Sequence, residues 1–208
     1  MAMNVTRVLI ADDHPLMREG LRFALEREPD MQVVAEAADG EEALARFEAT
    51  LPDVTLMDLQ MPRVDGLQAL MRIREAHPGA AVVVLTTYPG DARIAHALEA
   101  GATSYILKTA THGEILRTLR GAASGKSILS STVSRALAEF AATENLSARE
   151  LSVLRLIAGG HQNRCIGERL HVSEQTVKTR IKSILAKLQA QDRTHAVSIA
   201  RRRGFIDV

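Results

Sequence analysis

Two aspartates, Asp12 and Asp13, stand at the end of the apolar run RVLIAD, and a third, Asp58, ends the run VTLMD. Thr86 and Thr87 close AVVVLTT, and Lys108 closes SYILK. A carboxylate at the end of a buried strand is costly to leave alone, because desolvation disfavours its charged form. Singly, each of these residues has an ordinary reading: the aspartates as helix caps, the lysine as a solvated charge, the threonine as a β-former. As a set they do more. Three carboxylates within several ångströms repel strongly unless a cation lies among them. Hard oxygen ligands suit Mg²⁺, which keeps waters and favours sites shared with a phosphate. Lys108 offers a point charge and Thr86 a hydroxyl donor, both suited to a phosphoryl group. The set supplies a nucleophilic carboxylate, a metal to offset its charge and two groups to receive the phosphoryl.

Such convergence requires parallel strands, whose carboxyl ends share one edge. Strand-like runs at 7–12, 32–37, 54–58, 81–87 and 104–108 alternate with segments of helical periodicity at Leu16–Glu28, Glu41–Ala49, Leu67–Ala76, Ala92–Ala100 and Glu114–Ala122. Asp39-Gly40, Pro78-Gly79 and Gly101 punctuate the joints. Five strands, each followed by a helix, predict a doubly wound α/β domain with a five-stranded parallel sheet over residues 1–123. Ligands of such sheets bind at the carboxyl ends of the strands. Residues 124–143 are rich in serine and alanine and read as a linker, with one helix near Val133–Ala141.

From residue 144 to 208 no strand signal survives. Helices are expected at Ala148–Ala158, Asn163–Leu170, Glu174–Gln189 and Arg193–Arg203, a small all-α four-helix unit. Ser147 and Glu150 form a capping-box pattern before an apolar run. A short helix, a turn at His171-Val172, and a longer helix opening on Ser173 follow helix-turn-helix grammar. On the longer helix Val177, Ile181, Ile184, Leu185 and Leu188 form an apolar stripe, while Thr176, Lys178, Thr179, Arg180 and Lys182 project elsewhere. Basic residues on a helix are commonly a wet face, but this group also suits a DNA groove. Gly167 is expected to weaken its helix by up to about 1 kcal/mol.

The net charge of +1 hides an asymmetry: residues 1–123 carry 12 Lys+Arg against 18 Asp+Glu, a net of −6, and residues 124–208 carry 14 against 7, a net of +7. A basic half points to nucleic acid. No apolar run approaches the roughly 18 residues of a membrane span, and the start MAMNVTRVLIADD lacks signal-peptide character. The single cysteine, Cys165, forms no internal disulfide. These features fit a cytoplasmic protein. His161 and Cys165 are four apart, but two ligands make a poor zinc site.

IADDHPLMREGL, LMDLQMPRVDG, VLTTYPGD and EAGATSYILK stand in the order and spacing of a response-regulator receiver domain, and residues 1–123 resemble that family. LSARELSVLRLIAGG, SEQTVKTRIKSILAKL and DRTHAV resemble the LuxR-type helix-turn-helix of NarL/FixJ-family regulators; together the two resemblances cover nearly the whole chain except the linker. The first resemblance implies that Asp58 is the phosphoacceptor, that Asp12, Asp13, Asp58 and the backbone carbonyl of Gln60 hold Mg²⁺, and that Thr86 and Lys108 bind the phosphoryl. It gives Tyr105 a switch role, which the nearby Tyr88 could share. The second implies groove contacts by Lys178, Thr179 and Lys182, a phosphate contact by Thr176, and a dimer helix carrying Thr194, Val197 and Ser198. A sensor histidine kinase, double-stranded promoter DNA and a second copy of the chain are the implied partners. Two departures from the family pattern are Thr109, where many receivers have proline, and Ser104, where glycine is frequent. Gly167 stands where alanine is common.

Three other functions fit these residues less well. A phosphatase with Asp58 as nucleophile needs an acid two residues on, where this chain has Gln60. A dinucleotide site needs a Gly-x-Gly-x-x-Gly after the first strand, which is missing. A receiver acting through protein contacts alone leaves the basic helix without a role.

Overall fold

Runs of β-branched and aliphatic residues, apolar on both sides, are stable only when a sheet is covered on both faces. In the computed structural model, which describes residues 5–87, 91–129, 133–135, 137–138 and 146–206, five such runs form one parallel sheet in the order β2-β1-β3-β4-β5. The strands are β1 (Thr6–Ala11), β2 (Met31–Ala37), β3 (Val54–Asp58), β4 (Val82–Thr86) and β5 (Ser104–Leu107). Between and after them run α1 (Pro15–Glu26), α2 (Gly40–Thr50), α3 (Gly66–Ala76), α4 (Asp91–Glu99) and α5 (His112–Ala123). The central strands β3 and β4 are buried at every position, whereas the edge strand β2 is buried only at its two ends.

Side chains alternate across the sheet. On one face Val8, Ile10, Val54, Leu56, Val83, Leu85 and Ile106 pack under Leu21 and Leu25 of α1 and Leu116 and Leu119 of α5. Leu9, Ala11 and Met57 are buried on the other, where α2 and α3 pack. Each such side chain contributes about 1.5–3 kcal/mol through removal from water, so this double layer fixes the register that sets the strand ends side by side. Asp58 is level with Leu85, and Thr86 with Leu107.

The chain divides into two compact units, one formed mainly by residues 1–134 and the other mainly by residues 135–208. The second contains α6 (Ala148–Ala158), α7 (Asn163–Leu170), α8 (Glu174–Leu188) and α9 (Arg193–Arg203). Its core gathers Val153, Leu154 and Ile157 of α6, Ile166 of α7, Val177, Ile184 and Leu188 of α8, and Ala196, Ile199 and Ala200 of α9. Ile181 and Leu185, the remaining members of the expected stripe, pack on it partly buried. Among the described residues no helix is long and apolar enough to cross a membrane.

Element ends differ slightly from expectation. Asp12 and Lys108 lie one residue beyond their strands, and α8 stops at Leu188 because Gln189 is left-handed (φ 51°). Residues 133–135 and 137–138 are helical; the rest of the helix expected over Val133–Ala141 lies outside the described residues, as does Tyr88. Gly167 has a packing role besides its helix propensity. A Cβ there would sit 2.7 Å from the carbonyl oxygen of Val172, whose amide donates to the Gly167 carbonyl at 2.9 Å. The glycine lets the turn close against α7.

Candidate functional site

At the carboxyl edge of the sheet Asp12 is fully buried and Asp58 is 3% exposed. Lys108 Nζ lies between them, 2.7 Å from Asp12 Oδ2 and 2.8 Å from Asp58 Oδ2. The other Asp58 oxygen accepts the Gln60 amide at 3.2 Å, the turn-capping role that the sequence left open. The Lys108 amide donates to the Thr86 carbonyl at 2.7 Å, and Thr86 is fully buried beside the site.

Burial pushes the Asp58 carboxyl up; the bond from Lys108 and the Gln60 amide pull it back without cancelling the rise, and the Asp12 charge adds to it. Burial would lower the Lys108 ammonium, but its bonds to Asp12 and Asp58 more than offset this and hold it above its ordinary range. The lysine is therefore a fixed cation serving two carboxylates. That geometry keeps like charges apart at modest cost until another cation or a phosphoryl oxygen competes for it.

Asp13 is the most accessible of the three carboxylates, its side chain 33% exposed. His14 Nδ1 lies 2.6 Å from Asp13 Oδ1, and the His14 amide donates to Asp12 Oδ1 at 2.9 Å. Asp12, Asp13, His14 and Asp58 each present one ligand atom, all within 4.8 Å of one another. Three carboxylates with one imidazole suit a divalent cation, and the oxygen donors suit Mg²⁺.

Several positioning residues escaped the sequence reading. Arg18 of α1 donates to the Asp12 carbonyl at 2.6 Å. Gly66 starts α3 against the Asp58 backbone: its amide bonds the Leu59 carbonyl at 2.9 Å, and a Cβ would collide with the Asp58 carbonyl oxygen. Arg63, in the left-handed region at φ 63°, pairs with the buried Asp39, and the Gly40 amide bonds the Val64 carbonyl at 3.0 Å. These contacts pin the loop after Asp58. The Asp-Gly pairs at 39–40 and 65–66 were the available signal, since glycine beside a strand end marks close backbone approach.

Tyr105 is buried, 1% exposed, on β5 two residues before the last strand position.

In the second unit Ser173 caps α8, its hydroxyl accepting the Thr176 amide at 3.1 Å and lying 2.9 Å from the Thr176 hydroxyl. Lys178 pairs with Glu174 at 2.8 Å, and the Thr179 hydroxyl donates to the Gln175 carbonyl at 3.0 Å. Lys182 is exposed and has no ion-pair partner among the described residues. Thr176 is partly buried; Lys178, Thr179 and Lys182 share an exposed face. Thr194 and Ser198 are exposed on α9, whereas Val197 packs on the core from its margin.

Glu150 was expected only as a cap. It takes the Ser147 amide and hydroxyl at 2.7 and 2.8 Å, and also the Ser183 hydroxyl at 2.7 Å and the Lys187 ammonium at 3.0 Å. Burial would raise this carboxyl, but the hydrogen bonds from Ser147, Ser183 and Lys187 bring it down to about 2. One carboxylate thus caps α6 and bolts α8 to it. His161 Nδ1 and Cys165 Sγ lie 3.9 Å apart, and no further metal ligand joins them among the described residues.

Comparison with known proteins follows this division. Residues 8–120 match the response regulator receiver domain family, and residues 144–200 match the luxR family of bacterial regulatory proteins. The chain is 41% identical over 209 residues to the transcriptional regulatory protein LiaR of Bacillus subtilis, covering 97% of this chain and 99% of that protein. It is 38% identical over 205 residues to the response regulator protein VraR of Staphylococcus aureus, covering 96% and 98%. The structure of RcsB from Salmonella enterica serovar Typhimurium, bound to a promoter in the presence of the phosphomimetic BeF3−, superposes with a TM-score of 0.75 at 28% identity, covering 94% of this chain and 98% of that one. Both halves match in order and relatives align over nearly their full length: this chain belongs to the response regulators that join a receiver domain to a LuxR-type helix-turn-helix, a family of regulators rather than metabolic enzymes.

Proposed function

We propose that Asp58 accepts a phosphoryl group from a sensor histidine kinase and that its occupancy controls binding of promoter DNA by α8. The observation that carries this reading is the placement of Lys108 between two buried carboxylates, 2.8 Å from Asp58. Asp58 Oδ forms its bond to phosphorus as the P–N bond of the donor phosphohistidine breaks, the imidazole nitrogen keeping the electron pair. Asp12, Asp13, Asp58 and the Gln60 carbonyl would hold Mg²⁺, which when bound supplies charge neutralisation for the incoming oxygens. Lys108 turns from the carboxylates to a phosphoryl oxygen, and the Thr86 hydroxyl donates to another. Tyr105, on the strand that leads into Lys108, relays the change. Slow loss of the phosphoryl group to water is the one turnover expected.

In the second unit Lys178, Thr179 and Lys182 enter the major groove, and Thr176 meets a phosphate. Thr194, Val197 and Ser198 of α9 join two bound copies. The receiver spans residues 1–123, the linker 124–143 and the DNA-binding domain 144–208, and the protein acts in the cytoplasm. The DNA-bound state of RcsB, a protein of the same two-part organisation, supports this reading.

The test is labelling by a small acyl phosphate with Mg²⁺, read as acid-labile phosphate on gels. Asp58→Asn should abolish the label while leaving the fold intact; undiminished labelling removes Asp58 from its role.

A further inference from the structure

The open edge of β5 is covered by the chain itself. Helix α5 ends in a Schellman turn: the Lys126 amide bonds the Gly121 carbonyl at 2.9 Å, the Gly125 amide bonds the Ala122 carbonyl at 2.9 Å, and Gly125 takes the left-handed conformation at φ 75°. The reversed segment then runs beside β5. The Ile128 amide donates to the buried Ser104 hydroxyl at 2.9 Å, and Leu129 forms a parallel bridge with Tyr105. The Ile128 side chain lies over Gly121, where any Cβ would collide with it. Between this segment, the end of β5 and α5 lies a cavity of about 360 Å³ reached by Tyr105, Thr109, Glu114 and Arg117.

Each contact depends on a residue whose alternative would remove it. Glycine at 104 would lack the acceptor, alanine at 121 would press on Ile128, and a β-branched residue at 125 would resist the turn. Among the described residues the segment is held by the Ser104 acceptor, the Leu129 bridge and the packing of Ile128 over Gly121, contacts that a local opening would break together.

From these contacts we infer that residues 126–129 form a strap docked on the β5 edge, with Ser104 as its latch, and that filling the Asp58 site releases it. The release depends on the phosphoacceptor reading given above. β5 carries the strap at Ser104 and Tyr105 and leads directly into Lys108. A new anion at Asp58 draws Lys108 off Asp12 and Asp58, shifting the end of β5 away from the strap.

The experiment is amide hydrogen exchange of the full chain with Mg²⁺ alone and with Mg²⁺ plus beryllofluoride, using the ¹⁹F resonance of bound anion to report occupancy. The Ile128 amide should be protected without the anion and exchange at least tenfold faster with it, while the β4 amides stay protected. Ser104→Ala should give the faster rate without anion and show no further increase. An unchanged or slower Ile128 rate with anion bound overturns the strap release, and retained protection in Ser104→Ala overturns the latch. Absence of a bound ¹⁹F signal instead removes the acceptor reading beneath both.

Discussion

Lys108, fifty residues from Asp58 in sequence, donates to its buried carboxylate at 2.8 Å and so stands where a phosphoryl oxygen or a metal ion would compete. The pair is a placeholder for the cation chemistry of the site. Lys108→Met leaves Asp12 and Asp58 facing each other across a dry gap. Removing one partner of such a pair costs roughly 3 kcal/mol. Without Mg²⁺ the first unit should melt lower than wild type, and added Mg²⁺ should recover much of the loss; equal melting in both conditions would contradict this.

Asp58→Asn acts in the opposite sense. It removes a charge whose carboxyl is already pushed up by burial, and lessens the repulsion with Asp12. The variant should be at least as stable as wild type in chelator and gain less from Mg²⁺, as differential scanning calorimetry would report. A lower melting temperature in chelator would count against the repulsion.

Glu150 predicts an acid weakness in the second unit. Its folded value near 2 lies below the ordinary 4.5, so its contribution is complete above about pH 4.5 and is lost as pH falls toward 2. The shift corresponds to on the order of 2–3 kcal/mol. Amides of α8 should therefore lose exchange protection over that window, and Glu150→Gln should flatten the dependence.

Lys182, exposed and with no ion-pair partner among the described residues, should contribute on the order of 1–3 kcal/mol if it reads a base edge. Lys182→Ala should weaken promoter binding about tenfold and relax preference at one position. Unchanged affinity and salt slope in an electrophoretic assay would remove it from the groove.

Gly167→Ala should destabilise the second unit by about 1–3 kcal/mol, although helix propensity alone would favour alanine. The Val172 carbonyl 2.7 Å from the new methyl is the cause. A stabilised variant, measured by denaturant unfolding, would show that the turn yields freely.

The fold was legible because the strands that matter are buried on both faces: VTLMD and VVVLT have no polar side to disguise them. The acid site was legible for the same reason, since parallel strands bring their carboxyl ends together whatever the helices do. What escaped depends on contacts between distant positions. Glu150 displays its capping box within four residues, but its second role needs Ser183 and Lys187, which only the packing of α8 brings near. His14 and Arg18 join the acid cluster through the entry angle of α1. Ser104 and Ile128 are 24 residues apart, and neither side chain advertises the other. The packing role of Gly167 was hidden because propensity describes a helix in isolation, whereas the turn that follows needs the space.

The pairing of Lys178 with Glu174 on the surface of α8 bears on how the protein searches a chromosome. A net charge of +7 on the C-terminal part would favour lingering on any stretch of polyanion. With a carboxylate already beside Lys178, each chance encounter with a phosphate must displace an internal rival before it gains that contact. Random stretches repay the eviction poorly, and the right sequence repays it through base edges as well. The acidic neighbour thereby shortens idle visits without lengthening the list of residues that read the site.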